Sequence, residues 1–450
     1  MKWLKEQAEK SPNKLFLNQL TFKEVYDKTV QTAQHLNKET ARHNRLALLS
    51  ENSPEMAIVL FALLALDKEV LLLNTHLTAN EIREQLTELD VELLIASDQQ
   101  TYPADLSFSD IHSLETSRAV LNWQPAPEKI AVIMNTSATT GKFKSVPITW
   151  EMLAAHVAAS AATMGVLPED NWLVVLPMFH VSGLSIIMRS LYNATQATIR
   201  ASFDEEELIK LINNSSVNMV SMVPTMLKRV HEKIAAKSLR VLLLGGEFIP
   251  QPLIQACFAQ GLPVYKTYGM TETFSQSVTF NILEHPDKLT SVGQALPGVE
   301  IKILNPDADQ AGEIHLKSPM LMKGYLNQED VHLFNTGDIG YLDKDNFLYI
   351  LNRRKDIIIS GGENIYPKEI EDLLYSLEGI IECALVPQED QTWGQVPLLF
   401  YAGAPDIQEI TSFLSQRLAK YKLPRQIIKM NALPKNASGK ILRKNLKHEA

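Results

Sequence analysis

The chain has 450 residues, more than one compact domain usually holds, so two or more domains are expected. Its residues are 45% hydrophobic and 21% charged, a balance typical of a soluble globular protein, and the net charge of −9 argues against non-specific nucleic-acid binding. The two isolated cysteines, Cys257 and Cys383, exclude a disulfide framework and favour a cytoplasmic location.

The first part of the chain predicts neither a signal peptide nor a membrane span. Residues 1–14 are charged throughout, and the longest apolar run, residues 56–66, is too short to cross a bilayer. Ser53 and Pro54 precede this run as a helix N-cap and a first-turn proline. A buried helix is therefore predicted here.

Residues 1 to about 350 alternate between strand-like and helix-like segments. The strand-like runs are Arg45–Leu49, Glu69–Leu73, 172–176, 219–223 and 240–244, and the helix-like stretches include 205–212 and 225–236. Such alternation indicates layers of helices on largely parallel sheets.

The pattern changes after residues 343–352. A charged stretch over 353–356 and a glycine pair at 361–362 lead into a compact βαβ-like segment, with a helix at 367–377 and strands at 380–386 and 396–402. A charged, turn-rich junction suits a hinge, so we predict an N-terminal domain over 1–352 and a small C-terminal domain over 353–450. From Arg417 onward ten Lys or Arg accompany one acid, Glu449, which fits either a solvated basic face or a site for a small polyanion.

A loop rich in hydroxyl groups follows the buried strand predicted at residues 131–134. Residues 136–140 carry four hydroxyls in five positions, and Gly141, Lys142 and Lys144 follow. Hydroxyls and backbone N–H groups donate to phosphate oxygens and lysine neutralises their charge, so this loop is a candidate triphosphate site. The spacing is not that of a Walker A loop, and a Ser/Thr-rich turn taken alone is commonly an ordinary turn.

Several segments, in order, resemble the acyl-adenylate-forming superfamily of acyl-CoA synthetases, luciferases and peptide-synthetase adenylation domains. The loop at 136–144 is similar to the superfamily's T-S-G-T-T-G-x-P-K-G, residues 268–272 to Y-G-x-T-E, 312–314 to G-E-I, 335–338 to T-G-D, 352–362 with 367–371 to the hinge motif, and 434–440 to P-K-x-x-x-G-K. The resemblance spans essentially the whole chain.

This resemblance implies an α/β fold and an ATP-dependent reaction. The fold would have a large N-terminal domain of layered, mostly parallel sheets with helices, a β-barrel-like subdomain, and a small mobile α+β C-terminal domain. The reaction would join a carboxylic acid to ATP and pass the acyl group to coenzyme A. The implied partners are the acid, ATP, Mg²⁺ and CoA, without nucleic acid, and a homo-oligomer is compatible with the sequence.

The resemblance also implies a set of nucleotide-binding residues. Tyr268 would stack on adenine, Asp338 would accept both ribose hydroxyls, and Glu272 would hold Mg²⁺, a hard cation that prefers carboxylate and phosphate oxygens. The full set is Thr136, Ser137, Thr139, Thr140, Gly141, Lys144, Gly245, Gly246, Glu247, Tyr268, Gly269, Met270, Thr271, Glu272, Asp338 and Arg353.

Catalytic and thiol-transfer roles follow from the same resemblance. Lys440 would bridge the carboxylate and the α-phosphate, where negative charge builds up during the reaction, while Thr271 would donate to the α-phosphate. His180 joins this catalytic set. Lys355 would be the hinge, and Gly361 and Gly362 would line the CoA tunnel, since a pantetheine tunnel needs backbone without side chains.

One arginine bears on the choice of acid. Residues 176–185 resemble the block that opens the acyl pocket, and Arg189 follows in an apolar stretch. An arginine there needs an acceptor, because burying its charge alone is costly, unless its guanidinium reaches the surface. The other interpretation is that Arg189 binds a second carboxylate of the substrate. Arg189 and the segments 180–185 and 271–276 together resemble the branch of the superfamily that activates an aromatic keto-dicarboxylic acid. The substrate-binding residues would be His180, Ser182, Arg189 and Ser275.

The loop at residues 136–144 and the residue after it depart from the superfamily pattern at three positions. Ala138, Phe143 and Ser145 replace glycine, proline and glycine of the superfamily's loop; alanine at a positive-φ position costs about 1 kcal/mol, and losing proline leaves the loop less preset. Three other functions are compatible with the sequence. They are a ligase for another acid, a domain that loads a carrier protein, and a catalytically silent nucleotide-binding homologue. Only ten residues follow Lys440, which favours a free thiol over a carrier as the acyl acceptor.

Overall fold

A computed structural model describes residues 1–137, 143–247, 249–307, 310–353, 356–360, 363–390, 392–418, 420–435, 439 and 441–446. Its helices are α1 Lys2–Lys10, α2 Phe22–Thr40, α3 Pro54–Ala65, α4 Ala79–Glu88, α5 Phe108–Ser113, α6 Trp150–Met164, α7 Val181–Asn193, α8 Glu205–Asn213, α9 Pro224–Val230, α10 Gln251–Ala259, α11 Pro367–Tyr375, α12 Ile407–Ser415 and α13 Arg443–Leu446.

The strands alternate with these helices over the first two thirds of the chain. They are β1 Leu15–Leu17, β2 Leu20–Thr21, β3 Arg45–Leu49, β4 Glu69–Leu73, β5 Leu94–Ala96, β6 Leu106–Ser107, β7 Ile130–Ser137, β8 Phe143–Thr149, β9 Asn171–Val174, β10 Gln196–Ile199, β11 Met219–Met222, β12 Val241–Leu244, β13 Val264–Met270, β14 Ser275–Asn281, β15 Gln294–Ala295, β16 Glu300–Leu304, β17 Gly312–Lys317, β18 Phe334–Leu342, β19 Leu348–Arg353, β20 Ile358–Ser360, β21 Glu363–Ile365, β22 Ile380–Asp390, β23 Gly394–Gly403 and β24 Gln426–Lys429.

Two large sheets form the N-terminal part, and their inner strands are parallel. One has the order β15-β14-β13-β12-β11-β9-β10-β1-β2 and the other β6-β5-β3-β4-β7-β8. Strands β9 to β13 pair in parallel, as do β3, β4, β5 and β7, while β13–β14 and β7–β8 are antiparallel. The predicted α/β layering is confirmed.

A single apolar core joins the two sheets. Helix α3 lies in it, with every residue from Met56 to Ala65 buried, and Ser53 caps it by accepting from the Met56 N–H at 2.9 Å. The predicted buried helix is confirmed, and among the described helices a span able to cross a bilayer does not occur. Side chains of β4 and β7 from one sheet and of β9 from the other also pack in this core.

The remaining strands form two smaller sheets. The predicted barrel-like subdomain takes the form of an antiparallel sheet of order β16-β17-β18-β19, which packs Ile314, Leu316 and Leu348 against Val278 of β14. The C-terminal part has a sheet of order β21-β20-β23-β22, with β24 beside β23.

Two local predictions were wrong. The strands predicted as part of a βαβ-like unit, β22 and β23, form an antiparallel hairpin, and only β24 is parallel to β23. The helix predicted at 225–236 ends at Val230 and continues as a 3-10 turn over His231–Lys233. The boundary at residues 353–355 remains a proposal, since the hinge residue Lys355 lies outside the described residues.

Candidate active site

The predicted site residues gather where strands of the two large sheets end. Strand β7 leads into the phosphate loop, β9 into the segment before His180, β12 into Gly245, and β13 into Thr271. The carboxyl ends of parallel strands are the usual place for a ligand in an open α/β sheet. Asn52, which follows β3, links the two sheets by hydrogen bonds to the segment that follows β9. Its side-chain amide donates to Leu176 O at 2.9 Å and accepts from Met178 N–H at 2.7 Å.

The predicted phosphate loop includes the last residues of β7 and the first of β8, and these two strands are antiparallel. Thr136 faces Lys144 across the two strands, and the Thr136 hydroxyl donates to Lys144 O at 3.3 Å. Ser145 is buried and donates its hydroxyl to Asn135 Oδ1 at 2.7 Å, which gives this departure from the superfamily pattern a structural role. Thr139, Thr140 and Gly141 lie outside the described residues, as does Ala138, and Ser137 is described only as part of β7.

A tyrosine that the sequence analysis did not identify links the phosphate loop to the predicted metal carboxylate. Tyr325 donates its hydroxyl to Glu272 Oε1 at 2.7 Å, and the Lys144 ammonium lies 4.7 Å from the centre of the Tyr325 ring. Burial and the Glu272 carboxylate raise the pKa of Tyr325 well above its usual value, so the phenol remains a hydrogen-bond donor. The sequence feature that could have identified Tyr325 is its position directly after Gly324, between the 312–314 and 335–338 motifs.

The segment that carries Tyr325 also holds the backbone on both sides. Met322 N–H donates to Glu272 O at 2.8 Å, and Leu326 N–H donates to Ser145 O at 2.9 Å. Residues 322–326 therefore position the exit of the phosphate loop relative to the turn Thr271–Thr273.

Glu272 fits a magnesium ion that is held mainly by nucleotide. Among the residues that the structure describes, no group of three or more His, Cys, Asp or Glu could hold a metal ion. Mg²⁺ is commonly bound by one or two carboxylates plus substrate phosphates and water, rather than by a cage of protein ligands. One oriented carboxylate beside a phosphate loop is what that arrangement requires.

We expect Tyr325→Phe to weaken the response to magnesium. The variant removes only the hydroxyl that orients Glu272, and a hydrogen bond to a charged group contributes about 1.5 kcal/mol, or roughly tenfold in affinity. The Mg²⁺ concentration that gives half the maximal rate of diphosphate release should rise by about that factor, while the KM for the acid stays unchanged. Tyr341→Phe, in β18, is the matched control. An unaltered magnesium response in Tyr325→Phe would contradict the assignment.

The predicted ribose and adenine residues adjoin one another. Tyr268 donates its hydroxyl to Asp338 Oδ2 at 2.7 Å, and Asp338 is buried. The Thr336 hydroxyl accepts from Asp338 N–H at 3.1 Å and so shapes the turn that presents the carboxylate. Arg353 faces Asp338 across the β18–β19 pair, and it is described here only as part of its strand.

The adenine-side wall requires a glycine at its start. A Cβ at Gly245 would lie 2.5 Å from Thr267 Cγ2, so β12 and β13 could not approach this closely with any other residue. Gly246 and Glu247 continue the wall after β12, and Gly269 and Met270 end β13 beside it.

The C-terminal part reaches this wall close to the predicted catalytic lysine. Gly439 has φ of +89°, and a Cβ there would lie 3.0 Å from Thr225 Oγ1 and 3.5 Å from Glu247 Oε1. Lys440 itself lies outside the described residues, as do Gly361 and Gly362. The residue that immediately precedes Lys440 is therefore packed against the nucleotide side of the site.

His180 begins the acyl side of the site as a neutral imidazole. It is the N-cap of α7, and its backbone carbonyl accepts from Leu184 N–H at 3.0 Å. Burial and the neighbouring His76 lower the pKa of His180 to about 4. Ser182 follows in the first turn of α7, and Ser185, one turn further, lies with its hydroxyl 3.5 Å from Ser275 Oγ.

The lowered pKa of His180 predicts a loss of stability in acid. The unfolded histidine binds a proton below about pH 6.5 but the folded one only below about pH 4, so the free energy of unfolding falls as pH drops through this window. Between pH 7 and 4.5, His180→Gln should lose about 2 kcal/mol less than the unsubstituted protein in urea unfolding. The exposed His112→Gln is the control. An equal acid dependence with and without His180 would refute this prediction.

Arg189 is the largest fully buried side chain, 1% exposed, so the interpretation that it reaches the surface is wrong. Its guanidinium lies 5.1 Å from the Trp172 ring and donates to four neutral side chains. The partners are Ser160 Oγ at 2.9 Å from Nε, Ser185 Oγ at 3.0 Å from Nη1, and Gln276 Oε1 at 2.7 Å and His156 Nε2 at 3.2 Å from Nη2. Among the described residues no carboxylate forms an ion pair with it, and desolvation lowers the pKa of Arg189 to about 9.

None of these four partners was predicted as a site residue from the sequence, although Ser185 stands in the segment 176–185 that resembles the acyl-pocket block. His156 and Ser160 stand four residues apart among the buried residues of helix α6, a spacing that places two polar groups on one face. Gln276 follows Ser275 on β14, in a segment noted only for its resemblance. Sequence spacing alone does not bring α6, α7 and β14 to one guanidinium.

Comparison with known families settles the class of protein. The family model for AMP-binding enzyme matches residues 4–326, and the model for the AMP-binding enzyme C-terminal domain matches residues 369–440. The chain belongs to the AMP-binding enzyme family. The predicted membership of the adenylate-forming superfamily is confirmed.

The similar relatives of this AMP-binding enzyme are ligases that act on succinylbenzoate. It is 60% identical to a 2-succinylbenzoate–CoA ligase from Lactococcus lactis, over 99% of this chain and 100% of the relative. Its structure is similar to that of o-succinylbenzoate CoA synthetase from Bacillus subtilis in complex with the acyl-adenylate intermediate, with a TM-score of 0.93, 34% identity and coverage of 99% and 98% of the two chains. The complex of the same synthetase with ATP and magnesium ion matches with a TM-score of 0.91, 33% identity and coverage of 99% of each chain.

Proposed function

We propose that this protein is an ATP-dependent acid–thiol ligase for o-succinylbenzoate. It adenylates the acid and transfers the acyl group to coenzyme A, giving o-succinylbenzoyl-CoA, AMP and diphosphate in menaquinone (vitamin K2) biosynthesis. The whole-length identity of 60% to a 2-succinylbenzoate–CoA ligase supports the reaction, and the uncompensated buried guanidinium of Arg189 is the observation that carries the choice of acid. We also place the reaction in the cytoplasm.

The nucleotide half of the site performs the first step. A carboxylate oxygen of the acid attacks the α-phosphorus, a new P–O bond forms, and the bond to the departing diphosphate breaks. Lys440 and Thr271 stabilise the negative charge that develops on the α-phosphate oxygens. Glu272, oriented by Tyr325, holds the magnesium ion, which neutralises phosphate charge when bound.

The ribose and the triphosphate are held by groups at opposite ends of this half. Asp338 accepts from the ribose hydroxyls, with Arg353 beside it, and Tyr268 covers the adenine next to residues 245–247 and 269–270. Thr136, Ser137, Thr139, Thr140, Gly141 and Lys144 bind the phosphates. With both ends fixed, the α-phosphorus is presented to the acid, and orientation of this kind accelerates reactions between bound groups.

The acyl half recognises two carboxylates. Arg189 attracts the carboxylate that is not activated, and Ser182 and Ser275 complete the polar part of the pocket. The Ser185 hydroxyl lies between Ser275 and Arg189. His180, neutral at physiological pH, borders the activated carboxylate without competing for the charge of Lys440. One carboxylate then lies at the α-phosphate and the other is held away from it.

Thiol transfer uses the C-terminal part. The CoA thiol releases its proton to solvent, its sulfur attacks the acyl carbonyl carbon, a C–S bond forms, and AMP leaves with the electrons of the C–O bond. We assign Gly361 and Gly362 to the tunnel for the pantetheine arm. We assign Lys355 to the hinge about which the C-terminal part turns, so that Lys440 leaves the site and the tunnel residues enter it.

A diphosphate-release assay tests the proposal. The acids compared are o-succinylbenzoate, benzoate, a fatty acid and two isosteric monocarboxylates: 4-(2-methylphenyl)-4-oxobutanoate, without the ring carboxylate, and 2-butanoylbenzoate, without the succinyl carboxylate. We expect CoA-dependent turnover of o-succinylbenzoate with a kcat/KM at least about a hundredfold above that of every monocarboxylate, because an unpaired buried charge is costly. Turnover confined to monocarboxylates would overturn the proposal and favour a ligase for another acid.

A further inference from the structure

The cradle around the Arg189 guanidinium, formed by His156, Ser160, Ser185 and Gln276, contains more hydrogen-bond donors than acceptors. Arginine has five N–H groups, and the four bonds described above use Nε–H, one Nη1–H and both Nη2–H groups. One Nη1–H therefore has no acceptor among the described residues. It belongs to Nη1, which donates its other hydrogen to the Ser185 hydroxyl, and that hydroxyl lies 3.5 Å from the Oγ of Ser275, a predicted substrate residue.

Two neighbours add to the excess of donors. Because His156 accepts from Arg189 at Nε2, its proton is on Nδ1, and this buried Nδ1–H has no partner among the described residues. The Nε2 amide of Gln276 is likewise buried without a partner, while its Oε1 accepts from both Arg189 and Ser160. Such groups are costly unless an acceptor arrives.

Two partly buried arginines are paired with buried carboxylates. Arg443 forms two bonds of 2.6 Å to the buried Glu371, and the pKa of Arg443 is raised by this carboxylate. Arg240 forms two bonds to the buried Asp170, of 2.7 and 2.6 Å. Arg189 has only neutral partners and, in contrast, a lowered pKa. Arg189 is the most deeply buried of these three arginines and the one without a carboxylate partner among the described residues.

We propose that Gln276 determines specificity for a dicarboxylic acid: it is an uncharged acceptor that fixes the Arg189 guanidinium while leaving its positive charge for the second carboxylate of the substrate. This inference rests on the proposed function. A glutamate at the same position would be nearly isosteric, would accept the same bonds from Arg189 and Ser160, and would itself neutralise the guanidinium. The neutral amide is therefore what makes the charge available to a ligand.

The test is the variant Gln276→Glu, with the kcat/KM ratio of o-succinylbenzoate to the better of the two isosteric monocarboxylates as readout. We expect this ratio to fall at least tenfold, because the new carboxylate competes for Arg189 with the second carboxylate of the substrate, while the KM for ATP changes less than twofold. Gln255→Glu, on the exposed face of α10, introduces the same charge change and should leave the ratio unaltered. If Gln276 had a purely structural role, the substitution would lower kcat/KM for both substrates by the same factor and leave their ratio unchanged.

The outcomes separate the inference from the function on which it rests. If the unsubstituted enzyme prefers o-succinylbenzoate and Gln276→Glu keeps that preference, the inference is overturned and the function stands. If the unsubstituted enzyme does not turn over o-succinylbenzoate, the function fails first. Should Gln276→Glu not fold, Ser160→Asp places a carboxylate beside Nε of the same guanidinium from helix α6, and the same fall in the ratio is expected; an unchanged ratio there overturns the inference.

Discussion

Replacing Lys440 with alanine is expected to slow acyl-adenylate formation by at least about a hundredfold. The α-phosphate gains negative charge as the carboxylate attacks, and the loss of one preorganised donor at such a site commonly costs 10²- to 10³-fold. The substitution should not weaken ATP binding by more than a few fold, because the phosphate loop, Glu272 and Asp338 are unaltered. The rate is measured as diphosphate release with saturating o-succinylbenzoate and ATP.

The structure supports this expectation through the neighbour of Lys440. Gly439, the residue before Lys440, packs against Thr225 and Glu247, which lies in the predicted adenine-side wall. If the hinge then carries Lys440 away for thiol transfer, the second step should not depend on it. Thioester formation from a chemically prepared acyl adenylate and CoA should therefore proceed in Lys440→Ala at close to the unsubstituted rate.

A matched control comes from the same segment. Lys435 forms an ion pair with Glu382 within the C-terminal part, and Lys435→Ala removes an equal charge five residues earlier. Partly exposed pairs of this kind contribute up to about 1 kcal/mol to stability, so adenylation by Lys435→Ala should remain near normal. Equal rates of diphosphate release from Lys440→Ala and the unsubstituted enzyme would exclude Lys440 from the chemistry.

The sequence predicted the fold well where local pattern and neighbours agree. Ser53, Pro54 and the apolar run at 56–66 gave helix α3, because a cap and a fully buried face are properties of consecutive residues. It failed for β22 and β23, because alternation predicts a strand but not the direction of its partner. It also extended the helix at 225–236 beyond Val230, where the chain tightens into a 3-10 turn.

The site divides in the same way between local and long-range information. Glu272 and Asp338 stand in short motifs, so their roles could be predicted from resemblance. Tyr325 could not, since the partner of its hydroxyl is 53 residues away, and Gln276 lies 87 residues from Arg189. These residues act through contacts between separate elements, which only the folded chain brings together.

The second large effect is expected for Arg189→Met, a replacement of similar length without charge. Truncating one partner of a buried charge pair costs about 2–5 kcal/mol, so kcat/KM for o-succinylbenzoate should fall on the order of a thousandfold. The isosteric monocarboxylates should be turned over within a few fold of the unsubstituted rate, since neither presents two carboxylates. Selectivity for the dicarboxylate is then lost, although adenylation itself continues. A uniform loss for all acids would instead indicate a damaged pocket.

Stability provides an independent control for the same variant. Removal of the buried charge relieves its desolvation cost and offsets the hydrogen bonds that Gln276 and His156 lose, so Arg189→Met should unfold at close to the temperature of the unsubstituted protein. Arg240→Met is the contrasting variant, because it leaves the buried carboxylate of Asp170 without its partner and should lower stability by about 3 kcal/mol. Selectivity should be lost only in Arg189→Met and stability only in Arg240→Met. The opposite pattern would mean that Arg189 serves the fold, and that the charge it carries is not held for the substrate.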